Sequence, residues 1–136
     1  MKKTLPLMVF LALAFMFSIT ACSDEKTSSG FIAVSEEKLT WEQAKSFCEL
    51  KGGRLPLIDG QESFPGLDRR DVKYVEGFGA PEGKMPDGLP QTYYWAATED
   101  SRREGSAWYI DGRGGRFTIN TCPKHVDDYR AACVPK

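Results

Sequence analysis

Cys122-Pro123-Lys124-His125, with Asp127 and Asp128, puts a thiol, an imidazole and two carboxylates into one short stretch. Those are the groups of a metal site or of an activated nucleophile. A structural zinc takes four ligands and a catalytic zinc three plus water, so one Cys and one His fall short. A cysteine nucleophile needs a positioned base. His125 is near in sequence, but Pro123 and the surrounding charges describe a solvated turn. Asp100, Asp111, Asp127 and Asp128 are oxygen donors of the kind calcium takes, by residue type alone, and a calcium site needs several converging oxygens. No metal and no cofactor is expected. Arg102, Arg103, Arg113, Arg116 and Lys124 fall in or beside the turns of the C-terminal third. If clustered, they would grip sulfated or carboxylated glycans or lipopolysaccharide phosphates, because guanidinium forks match such anions. With Asp100, Glu104 and Asp111 interspersed, an ordinary charged rim is the other reading. These five are the candidate ligand-binding residues. Trp41, Trp95 and Trp108 could stack on sugar rings, but their helix and strand spacing assigns them to a core. The chain shows no paired acid and base, no phosphate loop and no complete metal set. Binding rather than catalysis is therefore expected.

The elements that must position these residues are partly legible. Thr40-Trp41-Glu42-Gln43 has the form of a capping box: the Thr40 hydroxyl accepts the Gln43 amide and Gln43 reaches back. Trp41, Ala44 and Cys48 follow at helical spacing on one inward face, and Gly52-Gly53 stops the helix. Phe31 to Val34 is a candidate first strand. Pro56 biases Leu55 out of helix, so Arg54 to Ile58 is extended. Asp59 to Leu67 could hold a second, weak helix, interrupted by Gly60 and Pro65. Gly77 to Pro90 is rich in Gly and Pro and reads as a long irregular loop. Tyr93 to Thr98 reads as a buried strand. Ser106 to Asp111 and Arg116 to Asn120 form a hairpin around Gly112-Arg113-Gly114-Gly115, with Phe117 and Ile119 on one face. Tyr129 to Val134 is the last strand.

The N-terminus has a different character. Lys2 and Lys3 precede an apolar run from Leu5 to Ile19, shorter than the roughly 18 or more residues of a membrane span, so it reads as a signal peptide. Ile19-Thr20-Ala21-Cys22 resembles the lipobox of bacterial lipoproteins. That resemblance implies cleavage after Ala21 and lipidation of Cys22 (diacylglycerol on the sulfur, with palmitate-type acyl chains). An ordinary signal peptide with an incidental Cys22 is the alternative. Ser23 rather than Asp after the cysteine implies, by the sorting rule of that class, the outer membrane of a bacterial envelope, on either face. The chain then divides into a signal peptide at 1–21, a polar tether at 22–30 and one domain at 31–136. The removed segment holds two lysines and no acid. The 18 basic and 19 acidic residues of the chain thus become 16 and 19, net −3 with His125 neutral. That balance does not suggest a nucleic-acid partner, which would meet a basic stripe.

Leu39-Thr40-Trp41-Glu42-Gln43-Ala44-Lys45-Ser46-Phe47-Cys48, Arg54-Leu55-Pro56, Tyr94-Trp95-Ala96-Ala97-Thr98-Glu99, Ala107-Trp108-Tyr109 with Asp111-Gly112-Arg113, and Tyr129-Arg130-Ala131-Ala132-Cys133 occur in that order. Together they resemble a C-type-lectin-like domain, in the bacterial branch typified by the C-terminal domain of collagen-like adhesins. The resemblance covers about Leu39 to Val134 and leaves Ser63 to Gln91 without a counterpart. Gly-Gly-Arg-Leu-Pro is shared with formylglycine-generating enzymes, but their following Thr-Glu-x-Glu-Trp-Glu is replaced here by Leu57-Ile58-Asp59-Gly60. The resemblance implies an α+β fold, with one or two N-terminal helices packed on a small, irregular antiparallel sheet with long loops.

It also implies that Cys48 and Cys133 form a disulfide, an expectation suited to an exported domain. Closing a loop of about 85 residues contributes on the order of 4 kcal/mol in the chain-entropy description. Cys122 is then left over, as a small buried apolar group or as a link to another chain. A Cys122–Cys133 pairing stays open, since connectivity does not follow from sequence. The calcium-dependent sugar motifs of C-type lectins, Glu-Pro-Asn or Gln-Pro-Asp followed by Trp-Asn-Asp, do not occur. The expected function is an envelope-anchored, non-enzymatic recognition module for a glycan (anionic if the cations cluster) or for a protein. The alternative is an accessory lipoprotein of an envelope protein complex that binds no sugar.

Overall fold

A computed structural model describes residues 30–65 and 71–136. The expected signal peptide, Cys22 and the tether through Ser29 lie outside them. Among the described residues there is one α-helix, α1 (Trp41–Leu50), and seven strands. The strands are β1 (Ala33–Val34), β2 (Gly53–Arg54), β3 (Ser63–Phe64), β4 (Tyr93–Asp100), β5 (Ser106–Asp111), β6 (Thr118–Pro123) and β7 (Ala132–Pro135). They form a three-stranded sheet in the order β1-β7-β2 and a four-stranded sheet in the order β3-β4-β5-β6. The architecture is α+β. No helix among the described residues is long and apolar enough to cross a membrane.

Local chemistry accounts for α1. Thr40 Oγ1 accepts the Gln43 N–H at 3.2 Å, and the Thr40 N–H donates to Gln43 Oε1 at 3.0 Å. This is the reciprocal cap the sequence implied. Gly52 takes φ 85° just beyond the last turn, a conformation that glycine adopts without steric cost. The buried face is Trp41, Ala44 and Cys48.

The hairpin of β5 and β6 is antiparallel, with Ile110 opposite Ile119 and Trp108 opposite Thr121. Its reversal is a 3-10 turn at Arg113–Gly115 in which Gly114 and Gly115 have φ 83° and 91°. β7 joins the first strand to the helix exit: Ala33 pairs with Cys133 and Arg54 with Val134.

Two expectations need correction. Residues 59–65 do not begin a helix. Asp59 and Gly60 turn at φ 53° and 68°, and the Asp59 carboxylate accepts the N–H groups of both Lys73 and Tyr74 at 2.9 Å. The chain then continues as β3, which places Phe64 edge-on against Trp108. The second correction is that the larger sheet is mixed rather than antiparallel, because β3 runs parallel to β4.

The core has two parts, one on each face of the larger sheet. On one side α1 covers Trp95, Ala107 and the chain around Tyr129, Ala131 and Cys133. On the other, Tyr94, Ala96, Trp108, Ile110 and Ile119 meet side chains from residues 72–89. The Gly/Pro-rich loop is irregular, as expected, yet it carries Phe78, Met85 and Leu89 into this core. Phe78 lies 5.2 Å from Phe31 and 5.5 Å from Phe117, ring centre to ring centre. Single apolar residues at uneven spacing leave no periodic signal, so the sequence hides this layer. Trp41, Trp95 and Trp108 are all buried. Trp41 Nε1 donates to the Ala96 carbonyl and Trp95 Nε1 to the Leu39 carbonyl, each at 2.8 Å.

Cys48 and Cys133 are joined, S–S 2.03 Å, and Cys122 is a free thiol. The bridge ties the inward face of α1 to β7.

Candidate functional site

Strand alternation and register put a definite set of side chains on the α1 side of the larger sheet. Trp95 faces Tyr109 and Tyr93 faces Asp111 across β4 and β5. Tyr109 faces Asn120, Asp111 faces Thr118 and Ala107 faces Cys122 across β5 and β6. Directly opposed residues share a face. α1 covers this face only at its Trp95–Ala107 end. Over the remainder lies Tyr129, delivered by the segment that precedes β7.

Tyr129 organises the patch. Its ring is 4.8 Å from Trp95 and 5.0 Å from Tyr93, and it stacks on Tyr109 at 4.5 Å with planes 23° apart. Tyr93 and Tyr109 meet edge to face at 5.8 Å. Tyr129 is buried, whereas Tyr93 and Tyr109 are half-buried and turn part of their rings outward. The Tyr129 hydroxyl donates to Cys122 Sγ at 3.4 Å. Burial raises the pKa values of Tyr129 and Tyr109 above the ordinary phenol value. Both remain neutral hydroxyls near neutral pH.

The rim of the patch is polar. The Arg113 guanidinium lies 4.6 Å from the centre of the Tyr93 ring. It also donates to both Asp111 oxygens, at 3.0 and 2.9 Å. Those bonds hold the Asp111 carboxyl below its usual range, against the opposing effect of burial. Asn120 is exposed at the edge and Thr118 is half-buried. Fixed aromatic rings with hydrogen-bonding groups around them suit a ligand with one apolar and one polar side.

The five candidate cations do not form one cluster. Arg102 and Arg103 lie in the β4–β5 turn, and Lys124 follows β6 with its N–H on the Gly105 carbonyl of that turn. Arg113 and Arg116 lie in the β5–β6 reversal, at the other end of β5. A six-residue strand separates the two groups by about 17 Å.

Four of the five are also engaged within the chain. Arg102 forms a bidentate pair with the buried Asp100, at 2.9 and 3.1 Å. Burial alone would push the Asp100 carboxyl up, but the Arg102 contacts outweigh it and hold it down. Lys124 Nζ pairs with Glu99 at 3.0 Å and sits 4.0 Å from the Trp41 ring centre. Arg116 donates to the Glu82 carbonyl. Arg103 is exposed at the turn.

The other residues singled out by type are dispersed. Asp100 and Asp111 are held by arginines, while His125, Asp127 and Asp128 are exposed in the turn after β6. No group of three or more His, Cys, Asp or Glu that could hold a metal occurs among the described residues. Sequence reasoning missed Tyr93, Tyr109, Asn120 and the partnership of Tyr129 with Cys122. The available signal was the alternation of Tyr93-x-Trp95 and Trp108-Tyr109, but only the register shows that Tyr93 and Tyr109 meet. Compared with protein-family models, curated proteins and solved structures, the chain matches none.

Proposed function

We propose that this chain is an extracytoplasmic lipoprotein, lipidated at Cys22 and held at a bacterial outer membrane. On this reading its folded part is a non-enzymatic, C-type-lectin-like recognition module. The order of the five motifs and the pairing of Cys48 with Cys133 support the fold assignment. The tyrosine patch carries the reading of function: Tyr93 and Tyr109 are partly exposed, locked by Tyr129, and flanked by Arg113–Asp111 and Asn120. Tyr and Arg are the residues that most often dominate binding energies, because they offer rigid area with a polar end. The ligand class is a glycan, with a pyranose face on the tyrosines and hydroxyl or carboxylate groups toward Arg113 and Asn120.

The test is binding of the mature, folded protein to a glycan panel that includes uronic-acid and sulfated polymers. Tyr109→Ala and Arg113→Ala should each weaken binding about tenfold or more. A loss with Arg103→Ala and Arg102→Ala, but none with Tyr109→Ala, would move the site to the β4–β5 turn and overturn the assignment. One observation favours the second reading, an accessory lipoprotein of an envelope complex. β6 is an edge strand, and such edges accept a strand from a partner. A stoichiometric protein recovered from solubilised envelopes in the presence of free sugars would select that reading.

A further inference from the structure

The rim of the tyrosine patch carries charged groups, but their charges cancel. Arg113 Nε donates to Asp111 Oδ1 at 3.0 Å and Nη2 to Oδ2 at 2.9 Å, and the Arg113 backbone N–H donates to Oδ1 at 3.2 Å. The Arg113 bonds lower the Asp111 pKa against burial, so the carboxyl is ionised at neutral pH and the pair has no net charge. The neighbouring cations are turned elsewhere. Arg116 reaches the Glu82 carbonyl, in the loop whose Phe78 and Met85 pack on the opposite face of the sheet. Lys124 is held by Glu99, at the far end of β5. Asp127 and Asp128, both exposed, immediately precede Tyr129. The surroundings of the rings are therefore neutral to acidic.

Hydrogen-bonding capacity narrows the ligand further. A carboxylate oxygen accepts about two hydrogen bonds. Asp111 Oδ1 already has both, whereas Oδ2 has one and takes another. The Arg113 side chain is 63% exposed, so its N–H groups directed away from Asp111 have room for an acceptor. An acceptor and a donor thus stand 2.9 Å apart, close to the spacing of neighbouring hydroxyl oxygens on a sugar ring. A hydroxyl both donates and accepts, so two vicinal hydroxyls satisfy Oδ2 and the guanidinium together. Asn120, opposite Tyr109, adds a donor: its Oδ1 is taken by the Thr121 N–H at 2.8 Å, which leaves its amide N–H groups for a ligand. A carboxylate or sulfate accepts from Arg113 but brings no hydrogen to Oδ2. It also brings a like charge toward Asp111, Asp127 and Asp128, which disfavours it.

Resting on the glycan reading of the patch, we infer that the site selects neutral sugars with a free vicinal diol over carboxylated and sulfated ones. The pyranose lies on Tyr93 and Tyr109, and Asp111 with Arg113 reads the diol. Asp111 is then a specificity-determining residue as well as a brace of the β5–β6 reversal.

The experiment measures binding of the mature, folded protein to dextran, mannan and galactan. Each is compared with its carboxymethylated, sulfated and periodate-cleaved, borohydride-reduced forms, at low and high salt. At least one neutral polymer should bind, with little dependence on salt, and Tyr109→Ala should weaken it about tenfold. Diol cleavage should abolish that binding, and the anionic forms should bind about tenfold more weakly. Asp111→Asn should weaken neutral binding about tenfold and strengthen the carboxymethylated form about threefold, reversibly by salt. Tyr109-dependent binding that is tighter to an anionic form overturns the neutral preference and leaves the patch as the glycan site. Tyr109-dependent binding that survives diol cleavage, or undiminished neutral binding in Asp111→Asn, overturns the diol assignment. An absence of Tyr109-dependent binding to every polymer overturns the glycan reading and this inference with it.

Discussion

Thr98 is fully buried, yet its hydroxyl is occupied on both sides. It accepts the Ile58 N–H at 2.8 Å and donates to the Gln61 carbonyl at 2.7 Å, fastening the turn at Asp59–Gly60 to β4. Thr98→Val keeps the shape and removes both bonds, leaving the buried Ile58 N–H and the part-buried Gln61 carbonyl without this partner. Such groups cost about 1–3 kcal/mol each. Urea unfolding should show Thr98→Val destabilised by about 2–3 kcal/mol, and Thr98→Ser by much less. Equal midpoints for Thr98→Val and the parent would refute this role. In the sequence Thr98 reads only as the end of a β-strand pattern, since its two partners lie about forty residues upstream.

At the scale of elements, an Arg–Glu clamp joins β2 to the residue just before the long loop. Arg54 grips both carboxylate oxygens of Glu76, one of them at 2.9 Å, and Glu76 also accepts the Leu57 N–H at 2.8 Å. The Arg54 bond holds the Glu76 carboxyl below its ordinary value, against burial. Asp100 and Asp111 are held down in the same sense by Arg102 and Arg113. A carboxyl with a lowered pKa in the folded state binds fewer protons there than in the unfolded chain. Its contribution is complete above about pH 4–4.5 and is lost as pH falls through the folded-state values. Chemical denaturation across pH should therefore show stability declining below about pH 4. Arg54→Met should lower neutral-pH stability by about 1 kcal/mol, given partial exposure of the pair, and should shallow the acid decline. An unchanged acid limb in Arg54→Met would remove the clamp from the account. The motif Gly53-Arg54-Leu55-Pro56 was legible in the sequence; the partner Glu76, beside a loop with no periodic pattern, was not.

At the scale of the whole molecule, the Cys48–Cys133 bridge closes nearly the full length of the described domain. Constraining so long a loop contributes on the order of 4 kcal/mol, so Cys48→Ser should lower the unfolding midpoint sharply. Alkylation of the denatured native protein without reductant should modify one thiol, Cys122, if Cys22 is acylated, and two if it is not. Modification of Cys48 or Cys133 under those conditions would dissolve the staple.

The sequence by itself determined the parts whose chemistry is local. The capping box of α1, the glycine reversal between β5 and β6 and the inward tryptophans each depend on residues a few positions apart. Tertiary structure alone decided the rest. It separated the five cations into two ends of a sheet, set Asp59 and Gly60 in a turn and Ser63–Phe64 in a strand where a helix was expected, and carried Phe78, Met85 and Leu89 inward. It also stacked Tyr129 on Tyr109. The reason is that a residue's face is set by its own strand, whereas its neighbours are set by register and loop closure. Those depend on contacts between segments far apart in the chain.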